Sequence, residues 1–336
     1  MSKAAELAAL IANVNNGSSL ANKNFIINGA MNVAQRGTSS TGLGAANGYF
    51  TTDRMRMAID ATSAGRYTMA QTAVTDLSGF SKSVKISCTT ADTSIAASER
   101  LVLNYRFEGQ TLQPLKNSST TTKEFTVSFY ARANAAFNLV SEWIFGNGTN
   151  REANQVNALT TSWQRFTMTI PAASSTQIDD VTTHDTDLML WMHAGSTYTG
   201  GSNSTTLRAN VNANRAHGVS SIFASTSNWV EITGIQVEIG KATAFEHESY
   251  ERTFLKCARY YFKNLANVYT SAYGSNAIQT VEYPVPMRNA PSVTVVSGSA
   301  PSGFGATTYV PYASMYVYHA SSTGSGVDNY QADAEL

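Results

Sequence analysis

Titratable side chains crowd one stretch of the chain: Asp179, Asp180, His184, Asp185, Asp187 and His193. Carboxylates and imidazoles this close could hold calcium or a transition metal, and the oxygen-rich set suits calcium better. The spacing matches no metal loop, however. Asp179-Asp180 fits a turn, and Asp185 and Asp187 lead into the strand-like run 188–193. No cofactor is expected, and Asp179, Asp180, Asp185 and Asp187 stand as weak candidates for a structural calcium. Glycoside hydrolysis needs two carboxylates about 5–9 Å apart. Glu142, Glu152, Asp179 and Asp187 could be offered, but nothing in the sequence pairs two of them. The chain also lacks β-helix repeats, a nucleophile elbow, a phosphate loop and a zinc signature. The expectation is a non-enzymatic protein.

Glycan binding asks for different residues. Sugars offer apolar faces that stack on aromatic rings, while amides and hydroxyls read their edges. Tyr309, Tyr312, Tyr316 and Tyr318 sit among Gly, Ser, Thr and Asn, a mix suited to recognition. Tyr316 and Tyr318 fall on one strand face, with His319 on the other. Trp143 and Tyr198 join them as candidates. Trp143, Trp163 and Trp191 are also natural core residues.

The elements that must position these groups read mostly as strands. Residues 3–14 carry Ala4, Leu7, Ile11 and Val14 on one helical stripe, with Ala8 and Leu10 beside it. A helix of about 12 residues is marginal alone, so Leu7, Leu10, Ile11 and Val14 are expected to pack on another copy or a docking partner. From Asn24 the period becomes two. Leu101, Leu103, Tyr105 and Phe107 alternate with Val102, Asn104, Arg106 and Glu108, and Phe125, Val127 and Phe129, then Phe166, Met168 and Ile170, alternate likewise with mostly polar neighbours. Val230 and Ile232 are followed by Ile235, Val237 and Ile239, with Gln236 and Glu238 turned outward. Strict alternation with turn-rich separators and no intervening helices indicates an antiparallel sandwich. Residues 246–262 return to helical spacing through Tyr250, Phe254, Cys257 and Tyr261. From Lys263 onward eight of the 16 tyrosines and five of the 7 prolines occur with only six charged residues, which marks a small separate β domain. Three domains follow: 1–23 anchor, 24–262 sandwich, 263–336 tip.

Composition narrows the function. The 336 residues are 43% hydrophobic and 10% aromatic, which is a folding composition. Charged residues make up only 14% and cancel, 23 against 23. No basic run exists, so nucleic acid is not an expected partner. No apolar run of about 18 residues exists, so membrane insertion by a helix is not expected. The opening Met1-Ser2-Lys3-Ala4-Ala5-Glu6 does not read as a secretory signal. Cys88 and Cys257 lie in apolar patterns and read as buried free thiols.

Three runs resemble a known family. Asn24-Phe25-Ile26-Ile27-Asn28-Gly29-Ala30-Met31-Asn32-Val33-Ala34-Gln35-Arg36-Gly37, with Asp53-Arg54 after Tyr49-Phe50, resembles the opening of bacteriophage tail-fibre proteins. Ser128-Phe129-Tyr130-Ala131-Arg132 with Thr161-Ser162-Trp163-Gln164-Arg165-Phe166 is similar to the jelly-roll sandwiches of carbohydrate-binding modules. The run from Ile235 to Tyr250, then Cys257-Ala258-Arg259-Tyr260-Tyr261, resembles the close of the same phage domain, departing from it at Glu248, where Arg is common. The three bracket about 70% of the chain. The resemblance implies an all-β fold, an antiparallel jelly-roll β-sandwich with a short N-terminal helix and a small C-terminal β domain. It implies a homotrimeric virion tail-fibre subunit, assembled in the host cytoplasm. Its N-terminus would dock to a tail adaptor, nozzle or portal-proximal protein, and it would attach to a host cell-surface glycan. A purely structural virion component and a polysaccharide depolymerase are the alternatives.

Overall fold

The computed structural model describes residues 3–4, 23–59, 63–270, 277–296, 304–310, 313–319 and 324–336. Leu7, Leu10, Ile11 and Val14 lie outside these, as does Tyr312. The chain divides into two compact units, residues 1–248 and 249–336. That division falls ahead of the 262/263 boundary expected from composition. The helix Tyr250–Ala258 and the strand beginning at Tyr261 supply Phe254, Ala258 and Phe262 to the second unit's core.

The first unit runs through β1 (Ser39–Leu43), β2 (Gly48–Tyr49), β3 (Arg56–Ile59), β4 (Arg66–Ala73), β5 (Lys82–Thr90) and β6 (Arg100–Glu108). It continues with β7 (Phe125–Ala133), β8 (Phe137–Phe145), β9 (Asn147–Gly148), β10 (Asn150–Leu159), β11 (Gln164–Ile170) and β12 (Thr176–Gln177). It closes with β13 (His184–Ala194), β14 (Ser204–Ala209) and β15 (Trp229–Ile239). Two antiparallel sheets result, one ordered β1-β4-β5-β15-β7-β11 and the other β14-β10-β8-β13-β6-β3-β2. The chain passes repeatedly from one sheet to the other, from β5 to β6, β6 to β7, β7 to β8, β10 to β11 and β14 to β15. This is the antiparallel sandwich that the alternation predicts, in the jelly-roll form that the resemblance implies.

The period of two sends one row of each strand into a shared core. Leu101, Leu103, Tyr105 and Phe107 of β6 meet Phe125, Val127 and Phe129 of β7 there, with Leu188, Leu190 and Met192 of β13. Trp143 sits at the centre, with ring centroids 4.8 Å from Phe125 and 5.2 Å from Phe107. β15 switches parity partway, since both Ile232 and Ile235 face inward. Register slips between Thr233 and Gln236, and Gly234 between them has φ +61°. This is a β-bulge at a position where a side chain would be strained and would also meet Phe80 and Tyr130. Cys88 and Cys257 are buried and form no disulfide among the described residues.

The second unit opens with the helix Tyr250–Ala258. Ser249 caps it by accepting from the Arg252 N–H, and Glu251 and Lys256 complement the helix dipole at its two ends. It continues through β16 (Tyr261–Thr270), β17 (Ala277–Glu282), β18 (Ser292–Val296), β19 (Phe304–Val310), β20 (Ser314–His319) and β21 (Gly324–Asp333). These form two antiparallel sheets, β16-β21-β18 and β17-β20-β19. Phe262, Val281, Tyr283, Met287, Tyr330 and Ala332 form its core.

Candidate functional site

The predicted site residues scatter. Trp143 faces inward by the parity of β8 and is wholly buried among Phe107, Phe125 and Phe145, so it is core and not a stacking platform. Tyr309 lies on β19, and Tyr316 and Tyr318 lie on β20, opposite Thr280 and Ile278 of β17. Tyr198 is half-buried and packs on Trp191, centroid to centroid 5.2 Å. The four aspartates do not converge: among the described residues no cluster of three metal-ligating acids, histidines or cysteines forms. Asp179 accepts from Asn147 and Gln177. Asp185 lies close enough to Asp179 that burial and that neighbouring charge push its carboxyl up. Asp187 faces Arg106 at 3.8 Å and His184 at 2.9 Å. Asp180, beside them in sequence, is exposed.

The outer face of the seven-stranded sheet carries buried charge. Register aligns Arg56 of β3, Asn104 of β6, Met189 of β13, Glu142 of β8 and Asn154 of β10 in one row. The neighbouring row holds Ala58, Val102, Trp191, Val140 and Val156. Segment 195–221 folds over that apolar row and brings Tyr198, Ala216 and Val219 onto it. Arg215 of the segment reaches down to Glu142, Nε to Oε1 at 2.8 Å and Nη2 to Oε2 at 3.2 Å, and Trp191 Nε1–H donates to the same carboxylate at 2.7 Å. Burial pushes the Glu142 carboxyl up, against the pull of Arg215 and Trp191. Burial also works against the Arg215 charge, but the Glu142 carboxylate holds that guanidinium above its ordinary value. Glu152 is saturated similarly by Arg208, Asn210 and the Val211 N–H. Both glutamates offered for glycoside hydrolysis are thus fully buried and committed to partners in the fold.

The six-stranded sheet presents a different outer face. Trp163, Arg132, Trp229 and Lys85 form an alternating ladder. Arg132 lies 4.6 Å from the Trp163 ring centroid and 5.9 Å from that of Trp229, and the Lys85 Nζ lies 4.1 Å from Trp229. Arg132 is fixed beneath by buried Glu231 (2.8 Å) and at the edge by exposed Asp76 (2.6 Å), which also accepts from Trp163 Nε1–H at 3.0 Å. All four ladder members are half-exposed. Trp163 is therefore not core, as its type suggested; it sits just ahead of β11, between Thr161-Ser162 and Gln164-Arg165, and those polar neighbours were the signal. Sequence patterning missed Trp229, Arg132 and Lys85, because nothing local links positions 85, 132, 163 and 229.

The runs that carry the family resemblance are structural. Asn24 donates from Nδ2 to the Ile235 carbonyl and accepts at Oδ1 from Val237 N–H and Ile26 N–H. Asn28, at φ +63°, donates to the carbonyls of Val33 and Asp53 and accepts from Val33 N–H. Asp53 in turn accepts from Gln35. Gly29 lies against Ile235, where a Cβ would meet the carbonyl oxygen at 2.1 Å. Gln236 and Glu238, expected to be wet, do lie on the outer face, but segment 240–247 returns across them and buries both. Glu238 accepts from Thr243 N–H, Gln236 donates to the Ala244 carbonyl, and Phe245 packs 5.0 Å from Phe80.

No protein-family model matches the chain, and no curated protein matches it. Similar solved structures include the enzymatically active domain of bacteriophage CBA120 tailspike protein 4, at 8% identity and TM-score 0.32, over 65% of this chain and 22% of that one. A family 4 carbohydrate-binding module is similar at 13% identity and TM-score 0.31, over 63% and 98%. The family 11 carbohydrate-binding module of a Clostridium thermocellum cellulosomal cellulase is similar at 12% identity and TM-score 0.30, over 62% and 98%. The chain spans about a fifth of the tailspike chain it matches.

Proposed function

We propose that this chain is a bacteriophage tail-fibre subunit that attaches to a host cell-surface glycan through its sandwich. One observation carries the reading: two half-exposed indoles, Trp163 and Trp229, are held on one sheet face by a shared arginine. Indoles offer the apolar face that a pyranose ring stacks on, and Arg132 and Asp76 beside them supply donors and acceptors for hydroxyls. The Glu231 and Asp76 contacts fix Arg132 before ligand arrives, which lowers the ordering cost of binding. In this reading the N-terminal segment docks the subunit to the tail, the subunit is a homotrimer, and the C-terminal tyrosines extend the recognition surface. The test is retention of the full-length protein on glycans extracted from host-range cells. Trp163→Ala and Trp229→Ala should each weaken retention about 5- to 150-fold, on the ~1–3 kcal/mol of a ring contact. Unchanged retention in the double variant would overturn the assignment.

A further inference from the structure

Three residues far apart in sequence meet at the end of segment 195–221. Ser221 Oγ lies 2.7 Å from Nδ1 of His193, and Nε2 of the same ring lies 3.2 Å from Oε2 of Glu99. His193 and Glu99 are buried, while Ser221 is half-exposed. Glu99 is itself fixed, since its other oxygen accepts from the Ala96 N–H at 2.9 Å. With Nε2–H donating to Glu99, the Nδ1 lone pair faces the serine hydroxyl, which is the tautomer a general base requires. Burial keeps that imidazole neutral, lowering it against the opposing pull of Glu99 and Asp92. Ser221 also stands at the N-cap of the short turn Ile222–Ala224, a position where serine normally caps, yet its side chain makes no capping bond. The hydroxyl is committed to the histidine instead. A nucleophile in reach of a base that a third group orients is the arrangement of covalent acyl transfer.

We propose that Ser221, His193 and Glu99 form a serine esterase centre that removes small O-acyl groups from a saccharide. Ser221 Oγ attacks the ester carbonyl while His193 Nδ1 takes its proton. The C–O bond to the sugar breaks, and the sugar oxygen leaves with that proton. Water, deprotonated by the same nitrogen, then releases the carboxylic acid and restores the serine. Glu99 is a positioning residue: it holds the ring and stabilises the imidazolium. The acyl group must be small, because buried His193, Ile222 and Phe223 wall the serine on its inner side. Beside the serine, the Asn138 N–H donates to Ser220 Oγ and the Ser220 N–H donates to the Asn138 carbonyl, both at 2.9 Å, and Asn228 Nδ2 donates to the carbonyls of Ser221 and Ile222. The saccharide half of the assignment rests on the glycan-binding reading above.

The test uses full-length protein with p-nitrophenyl acetate and acetylated xylan as probes. Both should release acetate, and Ser221→Ala should lose on the order of 10³-fold or more in rate while staying folded, its melting temperature lowered only by the lost hydrogen bond to buried His193. Glu99→Gln should lower kcat with little change in KM. A fluorophosphonate should label the unaltered protein at Ser221, which needs no variant to fold. Equal rates for the parent and Ser221→Ala, or no adduct on Ser221, would overturn the esterase centre. Cleavage of p-nitrophenyl acetate alone would overturn the saccharide assignment. Glycan retention by the Ser221→Ala protein reports separately on the binding reading, so the two can fail independently.

Discussion

Removing Arg215 should expose how much of the sandwich depends on one buried ion pair. Glu142 is wholly buried and accepts from Arg215 twice and from Trp191 once. Breaking a buried pair by deleting one partner costs about 3–5 kcal/mol, because the other charge stays buried without compensation. The guanidinium also lies 5.2 Å from the Trp191 ring, a contact of about 0.5–2 kcal/mol. For a unit of this size each kcal/mol moves Tm by about 2–4 °C, so Arg215→Ala should fall by roughly 6–20 °C. The loss should depend on pH with a defined sign. Without Arg215, burial raises the Glu142 carboxyl above its unfolded value, so the folded state holds a proton that the unfolded state releases. The penalty is then smallest in acid and grows as pH rises above the ordinary carboxylate range. Urea melts at pH 5 and pH 8 measure this directly. The double replacement Glu142→Leu with Arg215→Met should recover most of the loss, since apolar side chains need no pairing. A loss under about 1 kcal/mol, a loss independent of pH, or a double variant no better than the single would refute the reasoning.

Other outcomes follow from the same structure. Gly29→Ala should destabilise by about 1–3 kcal/mol or more in chemical denaturation, because its Cβ would meet the Ile235 carbonyl at 2.1 Å and only backbone can yield. Trp143→Ala should cost about 3–5 kcal/mol by the same assay without altering glycan retention, since the ring lies inside the core. His193 is lowered in the fold chiefly by burial, so only the unfolded state takes up its proton near pH 6.5. Stability should therefore fall as pH drops below about 6.5, and His193→Gln should flatten that slope by about one proton in pH-dependent melts.

The sheets were legible because alternation is a local property. β6, β7, β11 and β15 each announce one apolar row, and even the bulge at Gly234 shows as the parity switch between Ile232 and Ile235. Which row is wet was not legible. Asn104, Glu142 and Glu238 are polar and outward by parity, yet all are buried, because later segments fold back over both outer faces. The alternation of β15 carries no sign that residues 240–247 will cover it. The candidate sites were less legible still. Trp143 and Trp163 are the same residue type, and only the position of each relative to its sheet separates core from surface. Glu99, His193 and Ser221 share no spacing signature, since strands in two-sheet folds bring together positions that chain distance does not relate.

The chain enters and leaves the sandwich at one corner. Lys23 donates to the Ala244 carbonyl, Asn24 N–H donates to Glu246 at 2.9 Å, and Phe25 N–H donates to Val237 at 3.0 Å. Tension pulled between the segment before residue 23 and the segment after residue 248 would load this short clasp, which is anchored on β15, ahead of the other twelve strands of the two main sheets. The sandwich then hangs beside the line of force as a pendant and is not a link in it. Failure under load would begin by opening the clasp, one hydrogen bond after another, before the core felt any strain.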